Sequence, residues 1–196
     1  MASPAGSASS PLILASASPR RRWLLAALGV PFRVMPVDID ERPRRDEPPA
    51  AFAMRMASEK AAAAHARHPA WVLAADTIVE LDGRIFGKPS DADDAAAMLA
   101  QLSGRTHAVR TAVTLLQPSG ALAADMLVGT DVTFRTLDGA TIRAYVDTGE
   151  PLGKAGAYAI QGEGAHLIDR VVGSYTNVIG LPVPEVEEWL DRWRLR

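Results

Sequence analysis

The chain has 196 residues, 48% hydrophobic and 22% charged, with a formal net charge of −2. That length can bury the core of one domain, and the charge balance excludes a global basic field for holding nucleic acid or an anionic membrane. With no cysteine present, disulfides, zinc–thiolate centres and thiol catalysis are excluded as well.

Residues 1–10, "MASPAGSASS", are small and polar and read as a disordered tail without the charged and apolar regions of a secretory signal. No apolar run approaches the ~20 residues of a membrane span, so a cytoplasmic location is expected. "LILAS" (12–16) suits a short buried strand. A helix should follow, with Ser18 as cap, Pro19 at its first position and Gly29 just past its end. "FRVMPV" reads as a second short strand, "DIDERPRRDEPP" as a charged loop, and Pro49 opens an Ala-rich helix to about His68. "WVLAADTIVEL" has the strongest strand pattern, with a hairpin turn at Asp82–Gly83.

Ser90 and Asp93 have the spacing of a capping box for the helix "DADDAAAMLAQLS", closed by Gly104. "HAVRTAVTLLQ" and "ALAADMLVGTDVTFRTL", joined by "PSG", predict an antiparallel hairpin inside a mixed sheet. Asp138 starts a helix that Gly149 stops. Residues 149–182 are glycine-rich and lack a clear period, and a last helix covers "VPEVEEWLDRW". The expectation is a single α/β domain over residues 11–196, with lobes around a cleft.

Three features carry chemistry. Arg20, Arg21 and Arg22 occupy the first turn of a helix, where the helix itself already carries partial positive charge. An anion seated on the free N–H groups, with Ser16 and Ser18 as further donors, would make those arginines favourable; a solvated basic patch is the alternative. Asp76 interrupts an apolar strand, which points to a metal ligand or a general base, or else to a strand aspartate bonded to backbone. Glu41 is a second candidate carboxylate. Of 21 basic residues only Lys60, Lys88 and Lys154 are lysine, and the last two stand beside glycine or proline, where backbone can approach a ligand. "GRIFGKP" is not a phosphate-binding P-loop, because its glycine spacing is short and Pro89 replaces the hydroxyl residue. His65 and His68 read as solvent-facing helix positions.

"LILASASPRRRWLL", "VDIDE", "EKA", "AADTIV", "GKP", "LSGRTHAVRTAV", "DVTFR", "GEPLGKAGAYAIQG" and "GSYTNVIGLP" occur in the order seen in the Maf family, which the chain resembles from about Leu12 to Leu190. The resemblance implies a mixed twisted sheet with flanking helices and a central nucleotide cleft, similar to inosine triphosphate pyrophosphatase. It implies hydrolysis of a nucleoside triphosphate to the monophosphate and pyrophosphate with a divalent metal, Mg²⁺ or Mn²⁺. Ser16, Arg20, Arg21, Glu41, Lys60, Asp76 and Lys88 match the family's site positions. Asp76 matches its proton acceptor, and Glu41 and Asp76 are the expected metal carboxylates.

The family's subgroups differ at positions held here by Arg20, Thr77 and Gln161, and this combination resembles the dTTP/UTP group. Lys154 is expected on the substrate as well. Two alternatives are a 7-methyl-GTP pyrophosphatase and a non-catalytic nucleotide-binding regulator of cell division. The resemblance also suggests a homodimer. It gives no reason to expect a nucleic-acid or membrane partner.

Overall fold

The computed structural model describes residues 11–195; the tail expected at residues 1–10 lies outside them. In chain order the main elements are β1 (Leu12–Leu14), α1 (Pro19–Ala26), β2 (Phe32–Val34), α2 (Pro49–Arg67), β3 (Val72–Leu81), β4 (Arg84–Phe86), α3 (Ala92–Leu102) and β5 (Thr106–Leu116). They continue with β6 (Leu122–Phe134), α4 (Gly139–Asp147), β7 (Ile168–Val172), α5 (Tyr175–Ile179) and α6 (Val183–Arg192). Short 3-10 turns cover Ala155–Ala157 and Glu163–Leu167.

The strands form one mixed sheet in the order β2-β1-β3-β5-β6-β7, with β4 also on β3. β1 runs parallel to β2 and β3, and the other pairings are antiparallel. Asp82 and Gly83 both take positive φ, 52° and 77°, as a tight two-residue hairpin requires.

The pairing of β3 positions the site. One edge of β3 is bonded to β5 from Val72 to Glu80. The other edge meets β1 only as far as Leu73 and β4 only from Val79. Ala74 to Ile78 therefore have a strand neighbour on one side only, and the sheet is split there. Parallel β1 ends at the split and delivers the turn that leads into α1.

Side chains alternate along β3 with the strand period. Val72, Ala74 and Ile78 pack against α2, where Ala53, Ala57, Ala61 and Ala64 let the helix approach closely. Leu73 and Ala75 pack with Leu24, Leu25, Ile179 and Leu190 on the opposite face. Val79 and Leu81 share that face with Leu99, Leu102, Phe134 and Tyr145.

Three local expectations shift. α1 ends at Ala26, and Gly29 closes the following turn with φ 70°. β2 stops at Val34, just ahead of Met35 and the proline at Pro36. The α3 cap is Asp91, whose carboxylate accepts from Asp94 N at 2.8 Å, while Asp94 accepts from Ser90 N at 2.9 Å. The capping device is thus displaced by one residue, because aspartate caps as well as serine does. The glycine-rich segment also contains β7 and α5, which show no hydrophobic period.

His107 is 2% exposed on β5, its Nε2 lies 2.8 Å from the Tyr158 hydroxyl, and its Nδ1 has no hydrogen-bond partner among the described residues. Burial pushes its pKa down from 6.5 to about 4. The unfolded chain therefore takes up this proton more readily than the folded one, and stability should fall as pH drops from about 6.5 through about 4. The span corresponds to a loss on the order of 3 kcal/mol. Urea unfolding at several pH values should show His107→Gln with a flatter dependence than the wild type across this window; equal slopes would contradict the assignment.

Candidate active site

A cavity of about 670 Å³ opens at the split in the sheet. Of the residues singled out from the sequence, Ser16, Arg20, Arg21, Glu41, Lys60, Asp76, Thr77, Lys88, Lys154 and Gln161 line it, as does Ser18. Five of these are cationic and two are carboxylates, so a chain that is acidic overall presents a locally positive hollow. Low-dielectric walls strengthen that field.

Asp76 stands on the unpaired stretch of β3, on the face covered by α2. Its Oδ1 receives the Lys60 ammonium at 2.6 Å, and the same ammonium lies 2.7 Å from Glu41 Oε1. The sequence made Asp76 a solitary acid in an apolar strand; its partner comes from a buried position of α2, sixteen residues earlier. Glu41 reaches the site from the charged loop before α2. That loop is held by the forked Arg55–Glu47 pair, with Nε to Oε1 at 2.6 Å and a terminal nitrogen to Oε2 at 2.7 Å. Burial pushes the Glu41 carboxyl up, but Lys60, Lys88 and Arg21 outweigh it and leave Glu41 below its usual value.

The arginine turn is built differently from a bare anion nest. Ser18 caps α1, and the Ser16 hydroxyl accepts from Ser18 N at 3.2 Å. Arg20 Nε donates to Ile179 O at 3.3 Å and Arg21 Nε to Gly180 O at 2.8 Å. Both acceptors lie at the C-terminal end of α5, where carbonyl oxygens are left over and the helix end is negative. These contacts give Arg20 and Arg21 a place at the start of α1 before any ligand is considered.

Arg21 also donates to the hydroxyls of Thr77 (2.8 Å) and Ser16 (3.4 Å). Three of its five N–H groups are thus engaged, leaving two for a ligand. Burial lowers the Arg21 pKa, while Asp76 and Glu41 act in the opposite direction. Arg22 is exposed and does not line the cavity.

Thr77 points to the opposite face of β3 from Asp76. Its hydroxyl shares a hydrogen bond with Thr111 (2.9 Å), which donates onward to Asn177 O at 2.9 Å. This polar chain anchors Arg21 from behind. The Lys88 and Lys154 loops are joined by Gly156 N donating to Gly87 O at 3.0 Å. Lys154 Nζ donates to Glu150 O. Burial and Arg20 lower the Lys154 pKa, and Glu150 opposes this. Gln161 is half-buried, and its amide has no hydrogen bond among the described residues.

Sequence reasoning missed the apolar wall made by Ile160, Ile179 and Tyr158. Single apolar residues scattered through an aperiodic segment carry no signal that they share a surface.

The donor set can take a divalent cation. Two carboxylates already converge on the positive head of Lys60, and hard divalent ions bind one or two carboxylates together with substrate phosphates. No group of three or more His, Cys, Asp or Glu capable of holding a metal by itself occurs among the described residues. No described helix is long and apolar enough to cross a membrane.

The structure is thus a mixed α/β fold whose split sheet carries a cationic hollow at its unpaired strand edge. The solved structure of a HAM1 protein from Coxiella burnetii shares this fold at a TM-score of 0.53 and 15% identity, over 92% of this chain and 98% of that one. The model of the Maf-like protein family matches residues 11–193, and the chain belongs to that family. A protein from Myxococcus xanthus named dTTP/UTP pyrophosphatase is 52% identical over 182 residues, spanning 92% of this chain and 91% of its own. A protein of the same name from Desulfotalea psychrophila is 50% identical over 181 residues, spanning 92% and 93%.

Proposed function

We propose that this chain hydrolyses nucleoside triphosphates to the monophosphate and pyrophosphate, with dTTP and UTP preferred. The observation that carries the reading is the cavity at the β3 split, which Asp76, half-buried on its strand, lines together with five cationic side chains. A water attacks phosphorus efficiently only when the charge on the phosphate oxygens is neutralised. Arg20 and Arg21 on one wall, with Lys88 and Lys154 on another, provide that neutralisation.

Asp76 orients the attacking water and accepts its proton. Lys60 holds Asp76 and Glu41 in place, and its charge favours the ionised form of Glu41. Glu41 and Asp76 are the residues that would hold Mg²⁺ or Mn²⁺, which when bound supplies further positive charge to the phosphates. A cytoplasmic location belongs to the same proposal, since free nucleoside triphosphates are cytoplasmic metabolites.

Base selection is assigned to Gln161. Its amide offers a donor and an acceptor, matching the adjacent O4 acceptor and N3–H donor of uracil or thymine. Both amide groups are free to make those bonds. Guanine presents neighbouring donors, which a carboxylate would suit better. Gln161→Glu should therefore lower pyrimidine turnover by about ten- to a hundred-fold, since an unpaired buried edge costs roughly 1–3 kcal/mol.

The test is pyrophosphate release from dTTP, UTP, CTP, ATP, GTP and 7-methyl-GTP at equal concentration with Mg²⁺ or Mn²⁺. dTTP and UTP should lead. Equal rates with GTP or 7-methyl-GTP would remove the pyrimidine assignment while leaving the pyrophosphatase reading, and no release from any nucleotide would remove both.

A further inference from the structure

Glu150 lies outside the group of residues read as touching substrate, yet its carboxylate is tied directly to the chain after Gln161 and, through the Tyr145 hydroxyl, to the chain before it. Its Oε1 accepts from the Tyr145 hydroxyl at 2.8 Å and from Gly164 N at 3.0 Å, and its Oε2 accepts from Glu163 N at 3.0 Å. The same Tyr145 hydroxyl accepts from Ala159 N at 3.2 Å. Ile160 O is held as well, by the Tyr175 hydroxyl at 3.2 Å. Backbone groups at 159, 160, 163 and 164 are thus fixed, and the Gln161 side chain projects from the middle of this span into the cavity.

The chain around Glu150 leaves no slack. Gly162 has φ 93°, and a Cβ there would collide with Glu150 Oε2. A Cβ on Gly164 would strike Ala159 O, and would lie 2.7 Å from the Tyr145 hydroxyl. Burial pushes the Glu150 carboxyl up, but the Gly164 N–H, the Tyr145 hydroxyl and the Glu163 N–H outweigh it, so it stays below its usual value and ionised. Bonds to an ionised acceptor are about twice as strong as neutral ones. Glu150 also receives Lys154 Nζ on its carbonyl, which links the phosphate-facing loop to the same anchor.

We propose that Glu150, acting with Tyr145, is the positioning residue for base selection: its carboxylate clasps the 159–164 segment and fixes the Gln161 amide against the base edge. The inference rests on the assignment of Gln161 as the base-reading residue. A glutamine at 150 keeps the size of the side chain but places an NH₂ against one of the two backbone donors, so the clasp is broken at one arm. The Gln161 amide then samples more positions, and an amide misplaced by a fraction of an ångström discriminates poorly.

The readout is the ratio of kcat/KM for UTP to kcat/KM for GTP. This ratio does not depend on how much of a preparation is folded, so plain destabilisation leaves it unchanged. Glu150→Gln should lower it about tenfold, and Tyr145→Phe, a milder change that keeps the core ring, should lower it by a smaller factor. In a Gln161→Ala background neither substitution should lower the ratio further. An unchanged ratio in both Glu150→Gln and Tyr145→Phe, with a collapsed ratio in Gln161→Ala, would overturn the clasp and leave the base assignment standing. A further fall in the Gln161→Ala background would also overturn it, by showing that Glu150 acts elsewhere. If Gln161→Ala itself leaves the ratio unchanged, the base assignment fails and the clasp fails with it.

Discussion

Asp76→Asn should lower kcat by about 10²- to 10⁴-fold, the usual contribution of a positioned general base, while the fold survives. The side chains are nearly the same size, so the unpaired stretch of β3 and its packing against α2 persist. What changes is chemistry: an amide neither accepts the water's proton nor carries charge for a metal. Lys60 keeps its 2.7 Å contact with Glu41, so the ammonium is not stranded when its 2.6 Å partner becomes neutral. Circular dichroism and thermal melting should therefore show a folded protein beside a very slow enzyme. Turnover within a few-fold of the wild type would mean that Asp76 serves only to pair Lys60.

Arg21→Ala should lower kcat/KM by about two orders of magnitude for every nucleotide tried. A buried charged hydrogen bond is worth about 1.5–3 kcal/mol, and Arg21 has N–H groups left for phosphate after its protein contacts are made. The loss should be independent of the base, because the phosphates are common to every nucleotide and a guanidinium fixed on Gly180 O and the Thr77 hydroxyl would offer its remaining N–H groups to them. Some stability should go with it, since Gly180 O and the Thr77 hydroxyl each lose a donor. Arg21→Lys should recover little, as an ammonium cannot reproduce the fork that spans Gly180 and Thr77. A defect seen with one base alone would place this residue at the base pocket and contradict the phosphate role.

Much of this site was legible in the sequence, for identifiable reasons. Asp76 stood out because an acid in an apolar strand conflicts with its surroundings, and the structure shows the conflict resolved by Lys60 and by the missing strand neighbour. The hairpin at Asp82–Gly83 and the Ser18–Pro19 helix start were legible because one residue type dominates each local geometry. The split in the sheet was not, since the distances at which β1 stops and β4 begins are tertiary facts. β7 and α5 escaped because they are short and lie in a glycine-rich segment without a period.

The arginine cluster shows the limit of local reasoning. Its position invited an anion, and the structure adds a second acceptor, the C-terminal carbonyls of α5, contributed by residues 159 positions away. Glu150 gave no signal at all: a glutamate between glycine and proline in an apparent loop looks like solvent-facing charge, and only the fold brings it to residues 163 and 164.

The most direct test of the central claim is hydrolysis of dTTP in ¹⁸O-labelled water, with products resolved by mass. The expected result is thymidine monophosphate carrying one label and unlabelled pyrophosphate in equal amounts, as attack at the α-phosphorus requires. Thymidine diphosphate with labelled inorganic phosphate, label in the pyrophosphate, or no turnover of any nucleoside triphosphate would contradict it.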